Sequence, residues 1–201
     1  MSKKILFAAA LASLLATPAL AQTSGEGPWL VRARAVHIDS ANKDSTGLGL
    51  SVNNKWIPEV DVSYFFTPNI AAELILTYPQ KHTVRSSVLG GDIGSLKHLP
   101  PTLTVQYHFT NSTAFTPYVG AGLNYTRFSS VNVAGGAADV KRNSFGPALQ
   151  IGASYALTKN LSLNLDVKKV WIKTDVSVGG VKQGTFKVDP VLVGLGVGYR
   201  F

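Results

Sequence analysis

Four histidines, His37, His82, His98 and His108, are the side chains of this chain best suited to proton transfer or metal ligation. With a serine or carboxylate close by, any of them could serve a nucleophilic site. The frames that such chemistry uses are missing. There is no Gly-x-Ser-x-Gly turn and no His-Glu-x-x-His pair in the sequence. His82 and His98 share one inter-strand link and could meet there, but two imidazoles fall short of a metal site. His98 fits better as a structural group beside Pro100-Pro101. Gly90-Gly91, Gly135-Gly136 and Gly179-Gly180 read as turn tips rather than phosphate cradles. The expectation is a protein that is not an enzyme, with no catalytic residue, no metal and no cofactor.

A second constellation is electrostatic. Arg32, Asp61, Ser63, Glu73, Gln106, His108, Asn164, Asp166 and Arg200 fall on one parity of alternating segments. Mixed charges facing one interior must pair, because an unpaired buried charge is costly. They are expected to form a polar network of Arg32, Asp61, Glu73, His108, Asp166 and Arg200. A further set on the same parity, Val36, Ile38, Ile57, Val170, Ile172, Val188 and Leu192, is apolar. It reads as a hydrophobic lining above a charged floor, unless bulges near strand ends turn some of these residues outward.

The elements that position both sets are strands. From Lys187 to Phe201, Val191, Val193, Leu195, Val197, Tyr199 and Phe201 alternate with Leu192, Gly194, Gly196, Gly198 and Arg200. A strict period of two gives one apolar face and one small or polar face. About eight such segments occur, near 29–38, 56–66, 70–78, 101–109, 118–127, 144–155, 161–173 and 188–201. Each approaches the ~9–11 residues of a tilted membrane strand. Long links (39–55, 79–100, 128–143, 174–187) alternate with short ones (67–69, 110–117, 156–160). The predicted fold is all-β: an eight-stranded antiparallel transmembrane β-barrel with long extracellular loops and short periplasmic turns.

Aromatic residues on the lipid-facing parity sort into two belts. Trp29, Phe66, Phe109, Tyr155 and Phe201 fall at periplasmic strand ends, and Tyr78, Tyr125, Phe145 and Trp171 at extracellular ends. Pro147 lies inside a strand and is expected to mark a bulge. Gly120, Gly122, Gly152, Gly194, Gly196 and Gly198 share the inward parity, and either leave space in the lumen or let a small barrel curve. The long links carry apolar residues, among them Val84, Val88, Leu89, Ile93, Leu96, Phe128, Val131 and Val133. These either extend an apolar groove or pack the loops together.

Lys3-Lys4, an apolar run from Ile5 to Ala16 and Ala19-Leu20-Ala21 have the order of a cleaved signal peptide, residues 1–21. The remaining domain, 22–201, would then fold after export. Loss of Lys3 and Lys4 lowers the formal charge from +8 to +6. The cations are scattered, with no basic helix, so nucleic acid is not an expected partner, whereas anionic lipopolysaccharide is. The chain has no cysteine, and a closed ladder needs no disulfide.

Three blocks resemble the outer membrane protein W (OmpW) family. They are Lys97-His98-Leu99-Pro100-Pro101-Thr102-Leu103 with Gln106-Tyr107-His108-Phe109, Pro117-Tyr118-Val119-Gly120-Ala121-Gly122-Leu123-Asn124-Tyr125-Thr126, and Gly198-Tyr199-Arg200-Phe201. Pro58-Glu59 and Tyr64-Phe65 fit as well. The resemblance implies an eight-stranded barrel in the Gram-negative outer membrane, with a hydrophobic lumen associated with passage of small hydrophobic molecules. The expected partners are such solutes, outer-membrane lipid and lipopolysaccharide, and the barrel-assembly machinery during biogenesis. The alternative is a surface-interaction or receptor barrel with a closed lumen.

Overall fold

Alternation in sequence becomes alternation in burial. Along Trp29–Asp39 every second side chain is enclosed and the others stand outside. The computed structural model describes residues 27–201, so the predicted signal peptide lies outside the described residues. Eight antiparallel strands form the wall: β1 (Trp29–Asp39), β2 (Lys55–Phe65), β3 (Ile70–Leu76), β4 (Thr102–His108), β5 (Phe115–Val133), β6 (Asn143–Ala156), β7 (Leu161–Val170) and β8 (Val191–Arg200). Each pairs with the next. β8 returns to β1 in a continuous ladder from Leu30↔Arg200 to Asp39↔Val191. Trp29 and Phe201 also exchange backbone hydrogen bonds of 3.2 and 2.9 Å. The wall therefore has no free edge, which is the condition for a sheet to stand in lipid.

The outer face is apolar. Val191, Val193, Leu195, Val197 and Tyr199 are all turned out on β8. Trp29, Phe66, Phe109 and Phe201 are exposed at the end carrying the chain termini, and Tyr78, Tyr125, Phe145 and Trp171 at the opposite end; Tyr155 is half-buried. The terminal belt is denser than the sequence suggested. Tyr64 packs against both Trp29 and Phe66, and Tyr107 against Phe109, with ring centroids 4.8–5.2 Å apart.

At the far end the wall continues past the eight strands. Hairpin Gln80–Ser86/Gly91–Leu99 pairs with the upper part of β5. Ala138–Val140 joins β5 to hairpin Lys173–Val178/Val181–Lys187, and Lys43–Asp44 adds to that hairpin's outer strand. Leu50–Val52 pairs with Gln80–Ser86. Between Lys43–Asp44 and Leu50–Val52 there is no ladder. Side chains close the seam instead: the Asn42 amide exchanges hydrogen bonds with Val52 at 2.9 and 3.1 Å, and Leu50 N–H donates to the Asp44 carboxylate at 3.0 Å. Although burial pushes the Asp44 carboxyl up, the N–H groups of Leu50 and Thr46 hold it below the usual range. Residues expected as loops thus form a second ring on the first. Its inward residues Val84, Leu96, Phe128 and Val133 are buried, while Val88 and Leu89 stand exposed at a hairpin tip.

Pro147 marks no bulge. The β5–β6 register runs without a shift through Pro147↔Leu123. In an antiparallel strand, N–H and C=O of one residue point the same way. The Pro147 carbonyl accepts from Trp171 N–H at 3.1 Å, just past the last β6–β7 pair, Ala148↔Val170. The missing N–H therefore falls where that ladder has ended, and no distortion is needed.

Both roles of the inward glycines occur. A side chain at Gly122 or Gly196 would meet neighbouring backbone, 1.9 Å from Leu103 O and 2.0 Å from Ala33 O respectively; these sites serve curvature. At Gly194 a Cβ would meet only side chains, the nearest being Val36 Cγ2 at 3.1 Å. Gly122→Ala is therefore expected to cost about 1–3 kcal/mol through overpacking, and Gly194→Ala distinctly less. Urea unfolding midpoints in lipid vesicles would compare them; equal shifts would contradict the distinction.

Candidate functional site: a charged plug beneath an apolar chamber

Inward parity on four strands brings charged side chains together at mid-barrel. β1 brings Arg32 opposite Asp61 and Arg34 opposite Glu59 on β2. β3 brings Glu73 beside Ser63, and β7 brings Asp166 and Lys168. Arg32 pairs with Asp61 at 2.8 Å and Glu73 at 2.7 Å. Arg34 reaches Glu59 at 3.1 Å, Glu73 at 2.9 Å and Asp166 at 3.5 Å, and also binds Asp61. Lys168 joins Glu59 at 2.6 Å to Asp166 at 3.0 Å. All seven side chains are at least 97% buried. A shell of neutral groups takes several of the remaining valences, while Arg32 Nη1 has no hydrogen-bond partner among the described residues. Tyr118 Oη and Gln150 Nε2 donate to Asp166 at 2.8 and 2.7 Å, Thr104 Oγ1 donates to Glu73 at 3.0 Å, and Arg34 donates to Asn164 Oδ1 at 3.0 Å. Pairing and hydrogen bonding together make so many enclosed charges tolerable.

Small residues make room for the large ones. Arg32 faces Gly198 and Arg34 faces Gly196 across the β1–β8 ladder. The Tyr118 ring lies where a Cβ on Gly152 would stand, and Gln150 does the same at Gly120. The space that inward glycines leave is filled by the plug itself.

Arg32, Asp61, Glu73 and Asp166, all expected in the network, lie in it. His108 lies at its lower margin, its Nε2 3.0 Å from Gln106 Oε1 and its ring stacked on Tyr118. Arg200 sits one layer further down, where its Nε donates to Gly27 O at 2.9 Å and its guanidinium covers the Phe65 ring at 4.0 Å. Leu30, Phe65 and Ala71 form a small apolar cluster there. The polar set is thus a mid-barrel plug and does not line the whole terminal half. Sequence reasoning missed Arg34, Glu59, Lys168, Gln150 and Tyr118. The signal was available: each shares the inward parity of its strand.

Above the plug, Val36, Ile38, Ile57, Val170, Ile172 and Leu192 join one buried apolar cluster. It continues through Leu50, Val84, Leu96, Phe128, Val176 and Phe186 of the second ring. The free space is small. A cavity of about 30 Å³ lies between Ile38, Ile57, Ile172 and Leu192 on one side and Thr77, His98 and Pro100 on the other, with Glu59 and Lys168 as its base. That is room for about one water molecule. A second cavity of about 60 Å³ lies beyond the plug, lined by Leu30, Phe65, His108 and Arg200 among others. Beside the upper cavity the wall is interrupted. The β3–β4 ladder ends at Ile75↔Thr102 and pairing resumes only at Gln80↔His98. Pro79, Pro100 and Pro101 lie between, and none has an N–H to offer. Asn124 Nδ2 bridges to the carbonyls of Pro100 and Pro101, both at 3.2 Å.

The two loop histidines do meet, as a stacked pair with ring centroids 4.7 Å apart. Phe128 packs on His98, and His82 Nδ1 lies 3.0 Å from Asn53 O. Burial lowers both rings below the ordinary histidine range, with Lys55 adding to the effect; His98 is pushed down to about 3. They pack as neutral groups, in keeping with a structural role. Among the described residues, no group of three or more histidine, cysteine or carboxylate side chains could hold a metal ion.

Residues 25–201 match the OmpW family. The chain belongs to it. It is 37% identical over 220 residues to outer membrane protein W of Vibrio cholerae, with both chains covered in full. It is 41% identical over 206 residues to an uncharacterized outer-membrane protein, y4mB, of Sinorhizobium fredii, covering 96% of this chain and 90% of the other. A more distant relative is PahQ, a protein of a dibenzothiophene metabolism operon in Pseudomonas aeruginosa, 26% identical over 156 residues (76% and 68% covered). Among solved structures, OprG of P. aeruginosa superposes with a TM-score of 0.77 at 28% identity, covering 90% of this chain and 99% of OprG. This OmpW-family chain is an outer-membrane barrel of a Gram-negative bacterium.

Two outcomes follow from the site. Arg34→Met strands carboxylates from β2, β3 and β7, and is expected to destabilise the barrel by about 3–5 kcal/mol, measured by urea unfolding in vesicles. The histidine pair gives a pH dependence. A His98 held neutral in the fold contributes stability fully above its ordinary value of 6.5, and loses it as pH falls from there toward about 3. In nanodiscs, amide signals of residues 80–99 should weaken between about pH 7.5 and pH 5 before those of β1–β8, and His98→Leu should flatten that response; a uniform loss across the barrel would contradict it.

Proposed function

We propose that this OmpW-family protein takes up small hydrophobic molecules across the outer membrane. The observation that carries the reading is the vertical change of polarity inside one closed wall: a continuous apolar cluster at the long-loop end, set on a plug of seven paired charges. An alkane-like or aromatic solute would enter between the extracellular hairpins and lodge against Val36, Ile38, Ile57, Val170, Ile172 and Leu192, where desolvation favours it. The operon of the PahQ relative, named for dibenzothiophene metabolism, is in keeping with an apolar substrate class.

Straight passage is disfavoured. An apolar molecule crossing the plug would part buried ion pairs and leave them unsatisfied. The easier exit is sideways into the bilayer, through the interruption between β3 and β4. There the cavity touches Thr77 and Pro100, and the prolines have no N–H to donate across the gap. The ladder beside Pro147 is unbroken on the β5 side and offers no such opening.

A second reading, a barrel with a closed lumen whose loops bind surface partners, is favoured by one observation. The cavity of about 30 Å³ is too small for any such solute, so uptake requires the second ring to yield. Vesicle uptake of an apolar fluorescent tracer separates the two. Ile57→Asp with Ile172→Asp should lower the rate several-fold while the barrel still assembles. Normal uptake by that assembled variant would remove the chamber from the pathway, and no protein-dependent uptake at all would favour the closed barrel.

A further inference from the structure

A row of unneutralised charge lies outside the lumen, on the outer face of the second ring. Lys43, Lys187 and Lys173 stand directly opposite one another on three neighbouring strand segments, and all three are exposed. Like charges facing across a sheet destabilise it. Lys141 adds a fourth ammonium, held alongside by its N–H bond to Asp175 O at 2.9 Å. The local carboxylates are otherwise engaged. Asp175 binds Lys182 at 2.9 Å and Thr185 Oγ1 at 2.8 Å. Asp44 accepts from Thr46 and Leu50 at the seam, and Asp139 pairs with Arg142. Among the described residues, no carboxylate comes within 4.0 Å of Lys43, Lys141, Lys173 or Lys187.

These amines, with Lys182 and the engaged carboxylates Asp44 and Asp175, line an open cleft of about 610 Å³. A neighbouring hollow of about 230 Å³ shares Lys141 and Lys173 and runs down to Phe145. Phe145 and Trp171 belong to the upper aromatic belt, so the lysines stand just beyond it, at headgroup depth. Two adjoining hollows that share Lys141 and Lys173, the lower one reaching the aromatic belt at Phe145, match an amphiphile with an anionic head.

We propose that this cleft binds a phosphorylated, acylated glycolipid of the lipopolysaccharide class from the outer leaflet. Its phosphates lie on Lys43, Lys173, Lys187 and Lys141, and its acyl chains descend past Phe145. The bound phosphates neutralise the lysine row and fix the second ring against the membrane. A free polyanion would use the amines but has no use for the hollow leading to Phe145. The site shares with the uptake reading the long-loop end facing outward, but it is tested by binding alone, so its failure leaves uptake standing.

A charge-matched control is built into the fold. Lys81 and Lys97 also face each other directly, on the hairpin 80–99, away from the cleft. The full protein, freed of lipopolysaccharide in detergent, is titrated with lipopolysaccharide, with its enzymatically dephosphorylated form, and with inorganic phosphate. Lys173→Ser with Lys187→Ser should weaken lipopolysaccharide binding by about fivefold per lysine removed. Lys81→Ser with Lys97→Ser should change it by less than about threefold. Dephosphorylation should mimic the first double variant. Equal loss in both double variants would mean diffuse charge attraction and overturn the site. Binding indifferent to dephosphorylation, or matched by inorganic phosphate at the same concentration, would overturn the glycolipid.

Discussion

The guanidinium of Arg34 sits among carboxylates carried by three other strands: Glu59 and Asp61 on β2, Glu73 on β3 and Asp166 on β7. With Arg32 and Lys168 it ties one side of the ring to the other. A wall of eight strands leaves an interior barely wide enough for side chains, so whatever faces inward is removed from water whether polar or not. Charges there must find one another, and the glycines of β8 and β6 let them by clearing space opposite the arginines and Tyr118. Everything above the plug depends on this. Because the middle is closed by ion pairs, the apolar cluster over it is walled off from the opposite end, and on the proposed uptake route a solute would meet a floor that is costly to cross.

Much of this was legible from alternation. β2, expected at 56–66, runs Lys55–Phe65, and β7, expected from 161, begins at Leu161. The apolar lining and most of the charged set follow from the same parity, since a period of two assigns each side chain to lumen or lipid. What alternation could not give was the second ring. Its strands are short, and three of its ladders change register, at Val84/Arg85, Ser95/Lys97 and Val176/Ser177. Every such shift reverses the parity, so the apolar residues of 79–100 and 128–143 look scattered in sequence while Val84, Leu96, Phe128 and Val133 meet in space. Pro147 misled for a different reason. A proline is costly only where a ladder bond is required, and the extent of the ladder is a property of the neighbouring strand. Arg34, Glu59 and Lys168 were within reach of the parity argument, but they lie at the height where polar floor and apolar mouth meet, and a division of the barrel into two halves passes over its middle.

The exchange of hydrogen bonds between Trp29 and Phe201, below the β1–β8 ladder, has a bearing on time. The two strands that close the ring lie at opposite ends of the described chain, so their meeting closes a loop spanning nearly all of it, the slowest kind of contact to form. All seven other joints can be made between strands that follow one another. Until β8 pairs with β1, the nascent sheet carries two unpaired edges, each a template for a wrong partner. Closure of this barrel therefore waits on β8, and the chain must be kept apart from its neighbours until that strand has paired with β1.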